Sequence, residues 1–346
     1  MLTVKTIQDA IQWDSVVRSF QQYDVYYLSG YVKAFQIHGD GDPLLFYYEG
    51  EGLRGINVVM KRDLAKAPCF EGKIPEQTYF DFATPYGYGG WLLEGTADPA
   101  PLWKEYEAWC QTHRIISEFV RFHPVLRNHE SSQTAYEVIP LGNTIAMDLT
   151  DEETIWRNLT SKNRNMIRKA QKNGVQIFSG HDAVLFETFR EIYNATMDKD
   201  HAEKYYYFSP AFYESIQQDL PQEAQVFYAQ LEDGTIIAAS IMLAENDRLN
   251  YHLSGSRKEY QHLAPTNLLL YEAARWGSAN GCKTLHLGGG VGSDEDSLYQ
   301  FKKAFYRGEA YRYHIGKKIF LSDMYQKLVS LRTDLPQNSF FPRYRA

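Results

Sequence analysis

Six cations and no acid fall within residues 157–172: Arg157, Lys162, Arg164, Arg168, Lys169 and Lys172. In a helix, Arg164, Arg168 and Lys172 share a face at i, i+4, i+8, with Met166, Ile167 and Ala170 turned inward. That face suits a polyanion such as tRNA or a nucleotide-linked substrate. An ordinary solvated helix face has the same pattern, so spacing alone leaves both readings open. Further on, Lys302 sits between Phe301 and Phe305. A fixed ammonium there would stabilise the oxyanion of a carbonyl under attack. The competing reading is an exposed lysine beside Lys303, which serves as the control position.

Other segments carry weaker chemical signals. Gly288-Gly289-Gly290-Val291-Gly292 lies between a strand and a helix, but it lacks the Lys-Ser/Thr of a P-loop. The acids Asp294, Glu295 and Asp296 that follow would repel phosphate. The segment therefore reads as a loop bordering a site, with Ser293 as the helix cap. Tyr205, Tyr206 and Tyr207 are consecutive, so in an extended segment at least one must leave the core. Tyr86 and Tyr88 flank glycines that permit close backbone approach. Arg121 ends a strand, where a structural salt bridge and a diphosphate contact are both open. No HExxH, paired His–carboxylate spacing, GxSxG elbow or Cys–His pair occurs, so neither a metal nor a covalent intermediate is expected.

These residues must be positioned by a chain of 346 residues, enough for about two domains. Its 36 cations and 43 acids give a net charge of −7, which argues against a DNA-coating protein. The hydrophobic content of 44% is that of a globular chain. Twenty-six tyrosines suggest polar grooves as well as core. The N-terminus lacks an apolar h-region and no run approaches 18 apolar residues, so neither a signal peptide nor a membrane span is expected. Cys69, Cys110 and Cys282 form neither a disulfide framework nor a CxxC site. A reduced, cytoplasmic protein is the expectation.

Periodicity and turn residues give two segments of similar plan. The first has helices near Trp13–Phe20 and after Ser29, then strands at 44–48 and 54–61 joined by Glu49-Gly50-Glu51-Gly52. A helix over 99–113 and a buried strand at 117–122 follow. The second opens on the capping box at Thr150-Asp151-Glu152-Glu153, and the basic helix stops at Asn173-Gly174. A meander at 224–231, 235–243 and 248–253 turns at Asp233-Gly234 and Asn246-Asp247. A helix at 265–279, a strand at 284–287, a helix near 296–306 and a strand at 310–315 complete it. This is the element order of the GNAT acyltransferase fold. The expected class is α+β (mixed α/β): two GNAT-like domains, each a mostly antiparallel central sheet flanked by helices. Their expected bounds are 1–149 and 150–321, with a helix and loose tail at 322–346.

Four stretches carry a family resemblance. Ser161 to Val175 resembles the N-x-R-x-x-I-R-K-A…G-V signature of Fem-type aminoacyltransferases. Leu298-Tyr299-Gln300-Phe301-Lys302-Lys303-Ala304-Phe305 resembles their L-Y-x-F-K-x-x-F. Tyr251-His252-Leu253-Ser254-Gly255 is similar to the strand lining their substrate channel, and Thr84 to Gly90 to the Pro-Gly loop of their first domain. The resemblance is good over about 150–320 and thin over 1–149. The chain has no room for the long helical arm of some members. The acetyl-CoA motif Arg/Gln-x-x-Gly-x-Gly/Ala is missing from 254–264, as in Fem-type proteins.

The resemblance implies amide formation by transfer of an aminoacyl group to a cell-wall (peptidoglycan) precursor peptide, nucleotide- or lipid-linked, without DNA. Lys302 would be catalytic. Tyr206, Tyr251, His252, Ser254, Lys199, Tyr86, Tyr88, Lys33 and Arg121 would bind substrate, and Arg164, Arg168 and Lys172 the donor tRNA. No cofactor is implied, aminoacyl-tRNA being a cosubstrate. The alternatives are an acyl-CoA-dependent N-acyltransferase acting on a sugar or amine, and a precursor-binding module without catalysis.

Overall fold

The computed structural model describes every residue except Ser293 and Asp334, so the cap expected at Ser293 lies outside the described residues. In chain order the elements are β1 (Leu2–Thr6), α1 (Ala10–Arg18), α2 (Ser29–His38), β2 (Asp42–Gly50), β3 (Leu53–Asp63), β4 (Phe80–Ala83), β5 (Leu92–Gly95), α3 (Ala100–Thr112), β6 (Ile115–Arg121) and β7 (Glu137–Asp148). Then come α4 (Glu152–Asn158), α5 (Ser161–Lys172), β8 (Gln176–Gly180), α6 (Ala183–Lys199), α7 (Pro210–Asp219), β9 (Ala224–Gln230), β10 (Ile236–Glu245) and β11 (Arg248–Ser256). The chain closes with α8 (Pro265–Ala279), β12 (Thr284–Gly288), α9 (Ser297–Lys303), β13 (Tyr311–Ile319) and α10 (Ser322–Ser330).

Two compact units result: Met1–Leu141 with Tyr313–Ala346, and Gly142–Arg312. The expected division was at 149/150 and 321/322. The structure instead divides the chain inside β7 and inside β13. A long strand has no turn residue at its midpoint, so a boundary inside one leaves no Gly/Pro signal. The tail also differs from the loose segment expected. Tyr344 is fully buried, and Arg345 makes a two-point contact with the buried carboxylate of Asp81 at 2.5 and 3.0 Å.

In the first unit the strand order is β1-β2-β3-β4-β6-β13, with β5 also on β3. Neighbours are antiparallel except β4 and β6, which run parallel. Phe46, Phe82, Trp91, Tyr106 and Phe122 form the core under α3. In the second unit the order is β7-β12-β11-β10-β9-β8, antiparallel except for β11 with β12. Its core joins Ile167 and Ala170 of α5, five or more apolar residues of α8, and Met242, Leu249 and Leu285 of the sheet. The basic helix is thus seated by the apolar stripe read from its sequence, and Thr160 caps it by accepting from Asn163 N. The short strands β1, β5 and β8 were absent from the sequence reading.

Candidate functional site

The second unit places its functional side chains around the end of β12. β11 pairs with β12 only at Arg248–Asn250 against Thr284–His286, although β11 runs on to Ser256. A bulge also shifts the β10–β11 register between Ile241 and Met242, leaving His252 outside the pairing. From Tyr251 onward the β12-facing edge of β11 has no strand partner among the described residues. The pairing of the two strands ends there, and an extended ligand could hydrogen-bond to this edge short of Ser256, whose amide already donates to Thr196 Oγ1 at 3.0 Å.

Lys302 stands at that end. It is only 8% exposed, and its Nζ donates to the carbonyl of Gly289 at 2.6 Å. The sequence builds this seat in two ways. Asp296 caps α9, one oxygen accepting from Tyr299 N at 2.8 Å and the other from Val291 N at 3.0 Å. The glycines then allow the loop to close on the helix: Gly288 has φ +76°, and a Cβ on Gly290 would lie 2.3 Å from the Asp296 carboxylate. Phe305 is fully buried and meets Phe301 edge-on at 5.4 Å, fixing the turn that carries the lysine.

Burial lowers the Lys302 ammonium from its ordinary 10.5 to about 8, opposed by the charge of Asp296. The Asp296 carboxyl is itself held low by the amides of Tyr299 and Val291. At neutral pH Lys302 is still mainly protonated. One of its three donors is committed to Gly289, and that bond fixes the group in place for an incoming oxyanion. Lys303, the control position, instead donates to Gly308 O at 2.5 Å and braces the following turn.

The other expected residues divide by environment. Tyr251 lies beside the Ser240 and Ser254 hydroxyls, which bond one another at 2.8 Å, and burial raises its phenol. His252 is buried enough that its imidazole falls to about 3, so it is neutral at physiological pH. Tyr206 is 37% exposed and packs edge-on against Tyr205 at 5.5 Å. Lys199 pairs with Asp200 at 3.1 Å. Lys33 is half-buried on α2. Flanking it, Tyr31 donates to Tyr86 O at 2.7 Å and Phe35 stacks on the Tyr86 ring at 5.5 Å. Tyr88 packs against Tyr26, His123 and Tyr313.

Two readings change. Arg164 was grouped with Arg168 and Lys172 as a cation for tRNA. It turns back to the end of α4, donating to Leu159 O at 3.0 Å and Trp156 O at 3.4 Å, so its guanidinium serves the fold. Arg168 lies over the Trp156 ring at 5.1 Å yet is exposed, as are Lys162, Lys169 and Lys172. At Arg121 the structural salt bridge expected as one reading is absent among the described residues. Sequence reasoning missed Asp296, whose capping role was assigned to Ser293, and Tyr313, which carries no motif.

Residues 158–328 match the acetyltransferase (GNAT) domain family. That match gives the GNAT type to the second unit and the strand and helix after it, just under half of the chain. The chain is similar to the UDP-N-acetylmuramoylpentapeptide-lysine N(6)-alanyltransferase of Weissella viridescens, 25% identical over 191 residues. That alignment covers 54% of this chain and 55% of the relative, so it spans about half the length of the curated protein matched. The fold is that of FemX, with a TM-score of 0.69 at 14% identity, over 94% of this chain and 99% of that one. A tandem GNAT protein from the clavulanic acid biosynthesis pathway aligns with a TM-score of 0.50 at 9% identity, over 92% and 99% of the two chains. The Fem-type resemblance read from the motifs and the tandem GNAT architecture therefore stand. Among the described residues no helix is long and apolar enough to cross a membrane.

Proposed function

We propose that this chain is a Fem-like acyltransferase that transfers an aminoacyl group from aminoacyl-tRNA to an amine on a peptidoglycan-precursor peptide. The observation that carries the reading is the buried Lys302 ammonium, tethered to Gly289 beside the fork of β11 and β12, in the motif that resembles the Fem-type signature. The acceptor amine attacks the ester carbonyl and a C–N bond forms. The carbonyl oxygen gains negative charge close to Lys302, which is already oriented and shielded from water. Collapse breaks the ester C–O bond, and the proton lost by the amine ends on the departing hydroxyl. Tyr251, Ser254 and neutral His252 line the strand edge where the acyl or peptide chain would lie. Lys199 and Tyr206 of the second unit remain candidate acceptor contacts; Tyr86, Tyr88, Lys33 and Arg121 are candidates that belong to the first unit. Arg168, Lys169 and Lys172 offer exposed cations for the tRNA backbone.

The donor is tested by incubating the protein with a UDP-linked muropeptide and either aminoacyl-tRNA or acetyl-CoA, following product mass. The expected product carries one added aminoacyl residue and appears only with aminoacyl-tRNA. Transfer from acetyl-CoA alone would replace this reading with the acyl-CoA-dependent one. Precursor binding without turnover from either donor would leave a binding module.

A further inference from the structure

Arg121 ends β6 directly opposite Ile315 of β13, so Tyr313, two residues back along β13, is its diagonal neighbour on the same face of the sheet. Tyr88 reaches this face from the 84–90 loop and meets the Tyr313 ring edge-on, centroids 5.8 Å apart. The loop is held there from several directions. The Arg121 amide donates to Thr84 Oγ1 at 3.1 Å, and Gly89 N donates to Arg121 O at 2.8 Å. Gly87 has φ +89°, and a Cβ there would lie 2.6 Å from the Tyr26 ring, so the turn cannot shift outward with any other residue.

The side chain of Arg121 is half-buried against the Phe119 ring, its guanidinium carbon 5.2 Å from the centroid. Among the described residues it has neither a carboxylate partner nor a side-chain hydrogen bond. Other half-buried arginines differ: Arg54 pairs with Glu94, Arg62 with Asp81 and Arg190 with Glu187, while Arg164 and Arg257 donate to backbone carbonyls. The hydroxyl of Tyr313 likewise makes no hydrogen bond to a described residue. Burial pushes the Tyr313 phenol up to about 12, and the Arg121 charge draws it back down. Tyr88 is raised by burial and pulled down by the same guanidinium. A planar five-donor fork and a phenolic hydroxyl thus share one face of the sheet, in a rigid setting that supplies them no acceptor among the described residues.

We infer that Arg121 and Tyr313, with Tyr88 as the wall between loop and strand, form an oxyanion subsite in the first unit that takes a phosphate or carboxylate group of a small ligand. The inference rests on the proposed function only in treating that ligand as the acyl acceptor; the subsite itself can be measured with no donor present. The full chain is titrated calorimetrically with inorganic pyrophosphate, and separately with N-acetyl-D-alanyl-D-alanine and its C-terminal amide. Binding of pyrophosphate assigns the subsite to phosphate, and binding of the dipeptide but not its amide assigns it to carboxylate. Arg121→Gln should weaken the bound anion by about tenfold or more, Arg121→Lys by less, and Tyr313→Phe by a few-fold. All three should stay close to the wild-type thermal midpoint, since the guanidinium's contact with the Phe119 ring changes but no ion pair or side-chain hydrogen bond to a described residue is lost. Undiminished binding in Arg121→Gln, or no binding of either anion to the wild type, overturns the inference. Loss of aminoacyl transfer with anion binding intact would count against the proposed function alone.

Discussion

Lys302 and Lys303 are adjacent in sequence and separate in role. Lys302→Ala should cut turnover by about 10²–10³-fold with a smaller change in KM, as for loss of an oxyanion donor. Lys303→Ala should retain most of the activity, and steady-state kinetics of the pair checks both. A buried ammonium is also a cost to the fold, so Lys302→Met should hold or raise the thermal midpoint while removing transfer. The pH dependence follows the same group. The rate should fall as pH rises through about 8, where Lys302 loses its proton. Stability should move the other way: between about 8 and 10.5 the unfolded chain holds the proton that the folded chain has released, so raising pH favours the fold. A rate profile and a melting profile read across that window test both signs. The motif made Lys302 visible in the sequence. Its burial and its bond to Gly289 were not, because they depend on a loop that closes over it from outside α9.

At the scale of elements, the pattern of α5 predicted its stop and the burial of Ile167 and Ala170, while Met166, also read as inward, is only half-buried and the cap is Thr160. The pattern did not predict which cations reach solvent. Spacing places Arg164, Arg168 and Lys172 on one face, yet an arginine one turn from a helix start can fold back onto the carbonyls of the preceding helix, as Arg164 does. The three positions should then separate by measurement. Arg164→Ala should lower stability by about 1–3 kcal/mol, the usual loss for a charged hydrogen bond to backbone. The charge-removing pair Lys169→Gln and Lys172→Gln should leave the midpoint within about 0.5 kcal/mol. If α5 meets tRNA, that double variant should weaken binding and flatten the slope of log K against log salt by about 1.4–1.8, two phosphate contacts' worth. Filter binding across a salt series, with urea melts of the same proteins, reads both effects. An unchanged slope would return the helix to the ordinary solvated face that its sequence equally allowed.

For the whole molecule, length indicated two bodies, and the element order indicated their kind. The net charge of −7 concealed the six-cation segment. What sequence could not show is that the last 34 residues return to the first unit, since long-range closure leaves no local pattern. The return has a definite chemistry. Asp81 on β4 is fully buried, and burial alone would raise its carboxyl; Arg62 and Arg345 outweigh that and hold it below its ordinary value. Tyr344 adds a hydroxyl at 2.7 Å from Ser117 Oγ and packs against Phe70 and Tyr325. Arg345→Ala removes one of two cations from a buried carboxylate, which should cost about 3–5 kcal/mol. Tyr344→Ala should cost a similar amount through the cavity it leaves. Because a depressed carboxyl contributes stability that is lost as pH falls through its folded value, the wild-type advantage over Arg345→Ala should shrink in acid below about pH 4. Hydrogen exchange localises the effect: amides of β4 and β6 should lose protection in either variant, while those of β9 and β10 keep theirs. Equal loss in both sets would mean that the C-terminal segment acts on the molecule as a whole rather than as the clasp of the first unit.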